Sequence, residues 1–188
     1  NPGTYEENIE MKSFVTLEGV SAKAVKIMGN GTDVVRMDTL SCVTLRNLTI
    51  GSDGGTATNG VTIYNTDAVF EDVSVLGDFD SGINTMDNGI NAYYSMLTLK
   101  NCEVEEHDQK GVLLDSTEVV ATNSSFSAST SGLEVLAGSR LGLFDSKAGL
   151  GTYTLYILPN GVADVQGTTF SDARIYNLGK LNMTGNRI

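Results

Sequence analysis

LTLKNCEV (97–104) sets the pattern of this chain. Its first, third and eighth residues are apolar and its fifth is Asn. The same frame returns as VTLEGVSA (15–22), VTLRNLTI (43–50), AVFEDVSV (68–75), VVATNSSF (119–126), LGLFDSKA (141–148), ADVQGTTF (163–170) and LNMTGNRI (181–188). The fifth place holds Gly19, Asn47, Asp72, Asn101, Asn123, Asp145, Gly167 and Gly185. Frame starts at 97, 119, 141 and 163 lie 22 residues apart, with longer insertions before them. A repeat of this length cannot bury its own apolar side and must stack on its neighbours.

A second strand precedes each frame from the second onward: VRMD (35–38), VTIY (61–64), INAY (90–93), VLLD (112–115), LEVL (133–136), LYIL (155–158) and ARIY (173–176). Their first and third residues are apolar throughout, the period-2 alternation of a strand buried on one face. No stretch of a dozen residues keeps a 3.6-residue period. Strand–turn–strand–turn coils, each strand parallel to its copy in the next coil, predict an all-β fold. It is a single-stranded parallel β-helix of about eight coils, one domain over residues 1–188. The fifth frame place is where the backbone bends, and Gly, Asn and Asp tolerate the left-handed conformation needed there. Its side chains are expected to face inward and bond from coil to coil. That would keep Asn47 and Asn123 from glycosylation, although both lie in N-x-[ST] sequons, as do Asn30 and Asn182. Ile188 completes a frame and PGTYEENIEM reads as part of a coil. A segment of a longer β-helix is therefore expected, or self-association, end-to-end or side-by-side, that covers open strand edges.

The frame V-x-L-x-N-C-x-V, the ladder of fifth places and the preceding Gly–apolar strand resemble the right-handed parallel β-helix of the pectin-lyase-like superfamily, over essentially the whole chain. The opening PGTYEENI followed by VTLEG is similar to the first coils of pectin methylesterases. The resemblance implies the fold. It leaves the chemistry open, since that superfamily holds lyases, hydrolases, esterases, epimerases, phage tailspikes and non-catalytic surface proteins. INTMDNGI (83–90) is similar to the NTDGI stretch of polygalacturonases, but Met86 interrupts it and an extra Asn88 follows, and the DD, GHG and R-I-K motifs are absent. Pectate lyases bring an Arg base and a Ca²⁺-binding Asp cluster, whereas Arg36 and Arg174 stand far apart along the stack. The Gln-Asp turn and paired catalytic aspartates of pectin methylesterases have no counterpart. The regular outward Thr column of an ice-binding β-helix is missing too, since the second frame place reads Thr16, Thr44, Val69, Thr98, Val120, Gly142, Asp164, Asn182.

A formal net charge of −11 repels phosphate backbones and anionic membrane surfaces, which argues against nucleic acid and membrane as partners. A metal cation or a neutral glycan is compatible with it. No run reaches the ~18 apolar residues that span a bilayer. With 21 Gly and 2 Pro, the composition suits many tight turns and continuous strands. Cys42 and Cys102 fall about two coils apart, ~9–10 Å along the stack, beyond the ~7 Å that a disulfide allows between Cα atoms. Two free, mostly buried thiols are expected.

Function must lie on outward residues or loops. The outward places of the second strand form two columns. One reads Arg36, Thr62, Asn91, Leu113, Glu134, Tyr156, Arg174; the other reads Asp38, Tyr64, Tyr93, Asp115, Leu136, Leu158, Tyr176. Tyrosine faces stack on sugar C–H groups, and Arg and carboxylates bond hydroxyls or uronates. Arg36, Asp38, Tyr64, Asn91, Tyr93, Asp115, Glu134 and Tyr156 are the expected glycan contacts. Asp115 and Glu134, on neighbouring coils two residues out of step, come near ~8 Å apart. Inverting glycosidases place their carboxylates about 6.5–9.5 Å apart, so these two are the candidate catalytic pair. The long early loops carry Asp53, Asp78, Asp80 and Asp87, candidates for Ca²⁺ with its about six to eight oxygen ligands, or else a solvated acidic edge. His107, beside Glu105, Glu106 and Asp108, reads as a hydrated surface residue. Together these features predict an extracellular or cell- or virion-surface β-helix that binds polysaccharide. The alternatives are a lyase or hydrolase acting on acidic glycans, and a structural stalk or adhesin segment.

Overall fold

The computed structural model describes residues 1–52, 57–77 and 86–188. These residues form 22 strands and no helix, and every strand pairing is parallel. Eight strands make one sheet: Ile9–Glu10, Asp33–Asp38, Asn59–Tyr64, Asn88–Tyr93, Lys110–Asp115, Ser131–Val135, Tyr153–Ile157 and Ile175–Asn177. From Asp33–Asp38 onward these are the strands that precede the frames. The frames, together with Gly3–Glu6 and Val25–Met28, supply a sheet of 14 strands that covers two further faces. Val43–Gly51 and Asp67–Leu76 run through the corner between those faces unbroken, while later frames split into pairs such as Met96–Lys100 and Glu103–His107. Leu97, Val119, Leu141, Ala163 and Leu181 stay in one column from coil to coil. The chain is thus a parallel β-helix of eight coils. Its interior is filled by Val61, Ile63, Phe70, Ile90, Leu99, Leu114 and Phe126 with the rest of the apolar columns.

At the frame corner, Asn47, Asp72, Asn101, Asn123, Asp145, Gly167 and Gly185 have φ between 48° and 63°. A left-handed residue breaks the in–out alternation. The fourth and fifth places therefore both point outward and the sixth points in. Contrary to expectation, the ladder side chains face solvent. Asp72, Asn101, Asn123 and Asp145 are exposed, and one coil-to-coil bond joins two of them, Asn101 Nδ2 donating to Asp72 Oδ1 at 3.2 Å. Gly19 departs from the others. Its φ is not left-handed, and a Cβ there would collide with the carbonyl oxygen of Asn47. The first frame is accordingly interrupted: Thr16–Glu18 pairs with the start of Val43–Gly51, Val25–Met28 pairs with its end, and Val20 between them is 65% exposed.

The inner side of each corner carries hydroxyls that the columns of apolar residues did not reveal. At the sixth frame place the N–H of Cys102 donates to Ser124 Oγ and that of Ser124 to Ser146 Oγ, each at 3.1 Å. Each hydroxyl in turn donates to the carbonyl two residues back in its own coil, Ser124 to Thr122 at 2.9 Å and Ser146 to Phe144 at 2.7 Å. The corner between the eight-stranded sheet and the frames repeats the device. The N–H groups of Leu40, Thr66, Ser95 and Thr117 donate to Thr66, Ser95, Thr117 and Ser139 hydroxyls at 3.0–3.3 Å. Left-handed Thr39, Asn65, Tyr94 and Ser116 set up this second turn. Where the chain bends, a backbone donor cannot meet the next coil's carbonyl, and the hydroxyl fills the gap.

Three further expectations are corrected. Both cysteines are free, but Cys42 is exposed. Cys102 is buried at a hydroxyl place, with Sγ 3.4 Å from the carbonyl of Lys100, and burial pushes its thiol up to about 11. His107 is fully buried rather than hydrated, because a bulge between Val104 and His107, with Glu106 at φ 64°, turns its ring inward. The final strand slips by two residues. Arg174 is tied beside Thr154, so Ile175 follows Leu155 and Tyr176 follows Tyr156.

Two outcomes follow. Thr117→Val strips the buried N–H of Ser95 of its acceptor and should cost about 1–3 kcal/mol, whereas Thr98→Val, at an outward place, should stay within about 0.5 kcal/mol. Urea unfolding of the two variants measures the difference. His107 donates from Nε2 to the Val75 carbonyl at 3.1 Å, and burial lowers its pKa from 6.5 to about 4. The unfolded chain therefore binds more protons between those values, and stability falls as pH drops through that window, by about 2 kcal/mol at pH 5. That slope should vanish in His107→Gln, which keeps a donor without titrating.

Candidate functional site

The outward side of the eight-stranded sheet carries three columns of side chains. The first was not anticipated: Asp33, Asn59, Asn88, Lys110, Ser131 and Tyr153 stand in register. It is followed along each strand by a buried place held by Val34, Gly60, Gly89, Gly111, Gly132 and Thr154. There the coils approach so closely that a Cβ on Gly89 or Gly111 would stand 2.5 Å from the carbonyl oxygen of Gly111 or Gly132. The second column runs Arg36, Thr62, Asn91, Leu113, Glu134, Tyr156, Tyr176, and the third includes Asp38, Tyr64, Tyr93 and Asp115. The structure thus brings all eight expected contact residues onto one sheet face. It replaces Arg174 by Tyr176 at the far end.

The first two columns are tied by diagonal contacts one strand apart. Thr62 Oγ1 and Asn59 Nδ2 donate to Asp33 Oδ1 at 2.7 and 2.8 Å. Asn88 Nδ2 and Asn91 Nδ2 donate to Asn59 Oδ1 at 3.0 and 2.8 Å. Lys110 Nζ meets Glu134 Oε2 at 3.2 Å. Across to the third column, Arg36 donates to Asp38 at 3.0 Å, and this guanidinium, with the Thr39 hydroxyl, holds the Asp38 carboxyl below its usual range. Asp115 accepts the Ser116 hydroxyl at 3.1 Å. Asn91, Leu113 and Glu134 point outward yet are only 5%, 9% and 9% exposed. The expectation that Leu113 meets solvent fails, because neighbours on both flanking strands crowd the middle of the sheet.

Six of the seven tyrosines gather on this face or its rim. Tyr64 lies 6.5 Å from Tyr93 and edge-on to exposed Tyr94 at 5.6 Å. Tyr156 stacks on Tyr176 at 4.9 Å and 18°, with Tyr153 5.1 and 5.7 Å from the two rings. Burial, then the charges of Asp115 and Asp33, raise the Tyr93 phenol above its ordinary value. Burial raises Tyr156 likewise, followed by Tyr176 and Glu134. Both phenols keep their protons at neutral pH and serve as donors. Around the corner a polar groove of about 580 Å³ runs across several coils, between Tyr94 and Met96 and the charged Asp67, Glu118 and Arg140.

Of the Ca²⁺ candidates, Asp53, Asp78 and Asp80 lie outside the described residues. Asp87 is half-buried, and its carbonyl accepts the N–H groups of Gln109 and Lys110 at 2.8 and 3.1 Å. Among the described residues no three His, Cys, Asp or Glu side chains converge on a metal position.

No family model matches the chain, and no curated protein matches it. Several solved structures bear a distant likeness, two of them as follows. One is the A-module of the mannuronan C-5 epimerase AlgE4 of Azotobacter vinelandii, 13% identical over 100% of this chain and 85% of that one, with a TM-score of 0.36. The other is trypsin-treated QnrB1, a plasmid-mediated fluoroquinolone resistance protein, 10% identical over 96% of this chain and 92% of that one, with a TM-score of 0.25. Likeness at this level carries no argument about function.

The ion pair at the centre of the face gives a direct test of its packing. Lys110→Met leaves Glu134 largely buried without its cation and should cost about 1–3 kcal/mol. Adding Glu134→Leu removes the stranded charge, and the double variant should recover most of the loss in thermal unfolding.

Proposed function

We propose that this protein binds a polysaccharide along the outward face of the eight-stranded sheet. The observation that carries this reading is the pair of tyrosine clusters with a hydrogen-bonding floor between them. Tyr64, Tyr93 and Tyr94 lie at one end, and Tyr153, Tyr156 and Tyr176 at the other. The strands of Tyr93 and Tyr156 are separated by Lys110–Asp115 and Ser131–Val135, a span of ~14 Å at ~4.8 Å per strand. One sugar ring does not bridge that span, and an oligosaccharide does. Aromatic rings offer their faces to pyranose C–H groups, while Asn, Asp, Glu and Arg side chains fix hydroxyls by direction. Arg36, Asp38, Asn91, Asp115 and Glu134 supply those polar contacts. Asp115 and Glu134 are assigned to hydroxyl recognition rather than to hydrolysis, because Glu134 is held by Lys110. A secreted or surface-displayed setting suits such a partner.

Calorimetric titration with a panel of oligosaccharides tests the proposal. Tyr64→Ala and Tyr156→Ala should each weaken binding about tenfold while leaving the melting temperature nearly unchanged. Full affinity in Tyr64→Ala/Tyr93→Ala would take the site off this face.

A further inference from the structure

The hydrogen bonds of the floor have a direction. The Asp33 carboxylate only accepts, so Asn59 must turn its Nδ2 toward it and its Oδ1 away. Asn59 Oδ1 then takes the Nδ2 groups of Asn88 and Asn91. Each amide is oriented by the one before. Asn91 ends the relay with its Oδ1 turned away from Asp33, buried and without a hydrogen-bond partner. Diagonal contacts join the first two columns at Thr62 on Asp33, Asn91 on Asn59, Glu134 on Lys110 and the Tyr176 ring on Tyr153. Leu113 follows Asn91 in its column and has no donor to offer it. A buried acceptor left unmade costs free energy, and a group that supplies the missing donor recovers it.

The charges on the face point the same way. Among the described residues the three columns carry five carboxylates, Glu10, Asp33, Asp38, Asp115 and Glu134, against two cations, Arg36 and Lys110. Arg36 is engaged by Asp38 and Lys110 by Glu134. An anionic sugar would add a further negative charge and find both cations already committed. A sugar hydroxyl meets neither obstacle, since it can donate to an amide or carboxylate oxygen and accept from a phenol.

Resting on the carbohydrate-binding reading, we propose that this face selects an uncharged glycan, one hydroxyl of which donates to Asn91 Oδ1 beside Leu113, and that it turns uronates away. Asn91 Oδ1 is enclosed, so the hydroxyl reaches it by displacing a side chain that covers it. Leu113 supplies the apolar surface against which the ring's C–H groups settle. Asp33 is a positioning residue, two amides removed from the sugar.

The test is calorimetric titration at one fixed ionic strength. It compares uncharged gluco-, manno- and xylo-oligosaccharides with oligouronates of equal length. The intact protein should prefer the uncharged series by about tenfold or more. Asn91→Leu, which deletes the orphaned acceptor, should lower affinity for that series about tenfold, the equivalent of one hydrogen bond. Asp38→Asn, at an exposed position, releases Arg36 and should raise oligouronate affinity severalfold. A preference for oligouronates in the intact protein overturns the proposal. So does undiminished binding of uncharged sugars by a folded Asn91→Leu. Should that variant fail to fold, the intact protein's preference and the Asp38→Asn response still decide. If neither series binds, it is the carbohydrate reading itself that fails, a result distinct from a reversed preference.

Discussion

The structure depends on turning the chain through sharp corners without stranding a backbone donor. Parallel strands stacked one per coil satisfy their own N–H and C=O groups along straight segments, but at each corner the ladder geometry is lost. Two devices repair it. A left-handed residue makes the bend, and a buried Ser, Thr or Cys two residues past the strand bridges its own coil to the preceding one. Because the bridge links coils, each corner is fixed by the next, and the stack is stabilised along its axis as well as across its interior.

That same stacking builds the outward face. Repeating a strand at one coil per step places like positions ~4.8 Å apart, so whatever occupies an outward place is repeated as a column. Tyrosines in successive coils become clusters of rings, and amides in successive coils become a relay that inherits its direction from Asp33. Asn91 and Glu134, on the solvent side by alternation, are nonetheless enclosed, because a column of large side chains shields its own members.

The apolar columns, the absence of helix and the corner position were legible in the sequence, because period-2 alternation and a fixed place for Asn, Asp or Gly survive loops of any length. The outward columns followed from the same alternation and placed Arg36, Tyr64, Tyr93 and Glu134 correctly. The misses each have a local cause. The inward expectation for the ladder ignored how a left-handed residue swings its own Cβ outward. His107 was misplaced because a one-residue bulge cannot be seen among the six consecutive polar residues 105–110. The sequence alignment sets Tyr176 two residues off, because the shortened last coil takes its register from bonds between Thr154 and Arg174. The hydroxyl columns were present as Thr66, Ser95, Thr117 and Ser139, but Ser and Thr near a turn read as loop until their spacing of one coil is noticed.

The relay that ends on Asn91 shows how a solenoid gains specificity that its repeats do not possess singly. A flat sheet of identical coils would bind every stretch of a polymer alike. Here one carboxylate at the start of the run imposes an orientation on Asn59, then on Asn88 and Asn91, and Leu113 interrupts the pattern. Leu113 offers no donor, and Asn91 Oδ1, on the same strand as Tyr93 of the first tyrosine cluster, is left unmatched. Registry along a repetitive surface therefore comes from the one coil that fails to repeat, and the tyrosines, tolerant of any ring face, hold whatever that coil has aligned.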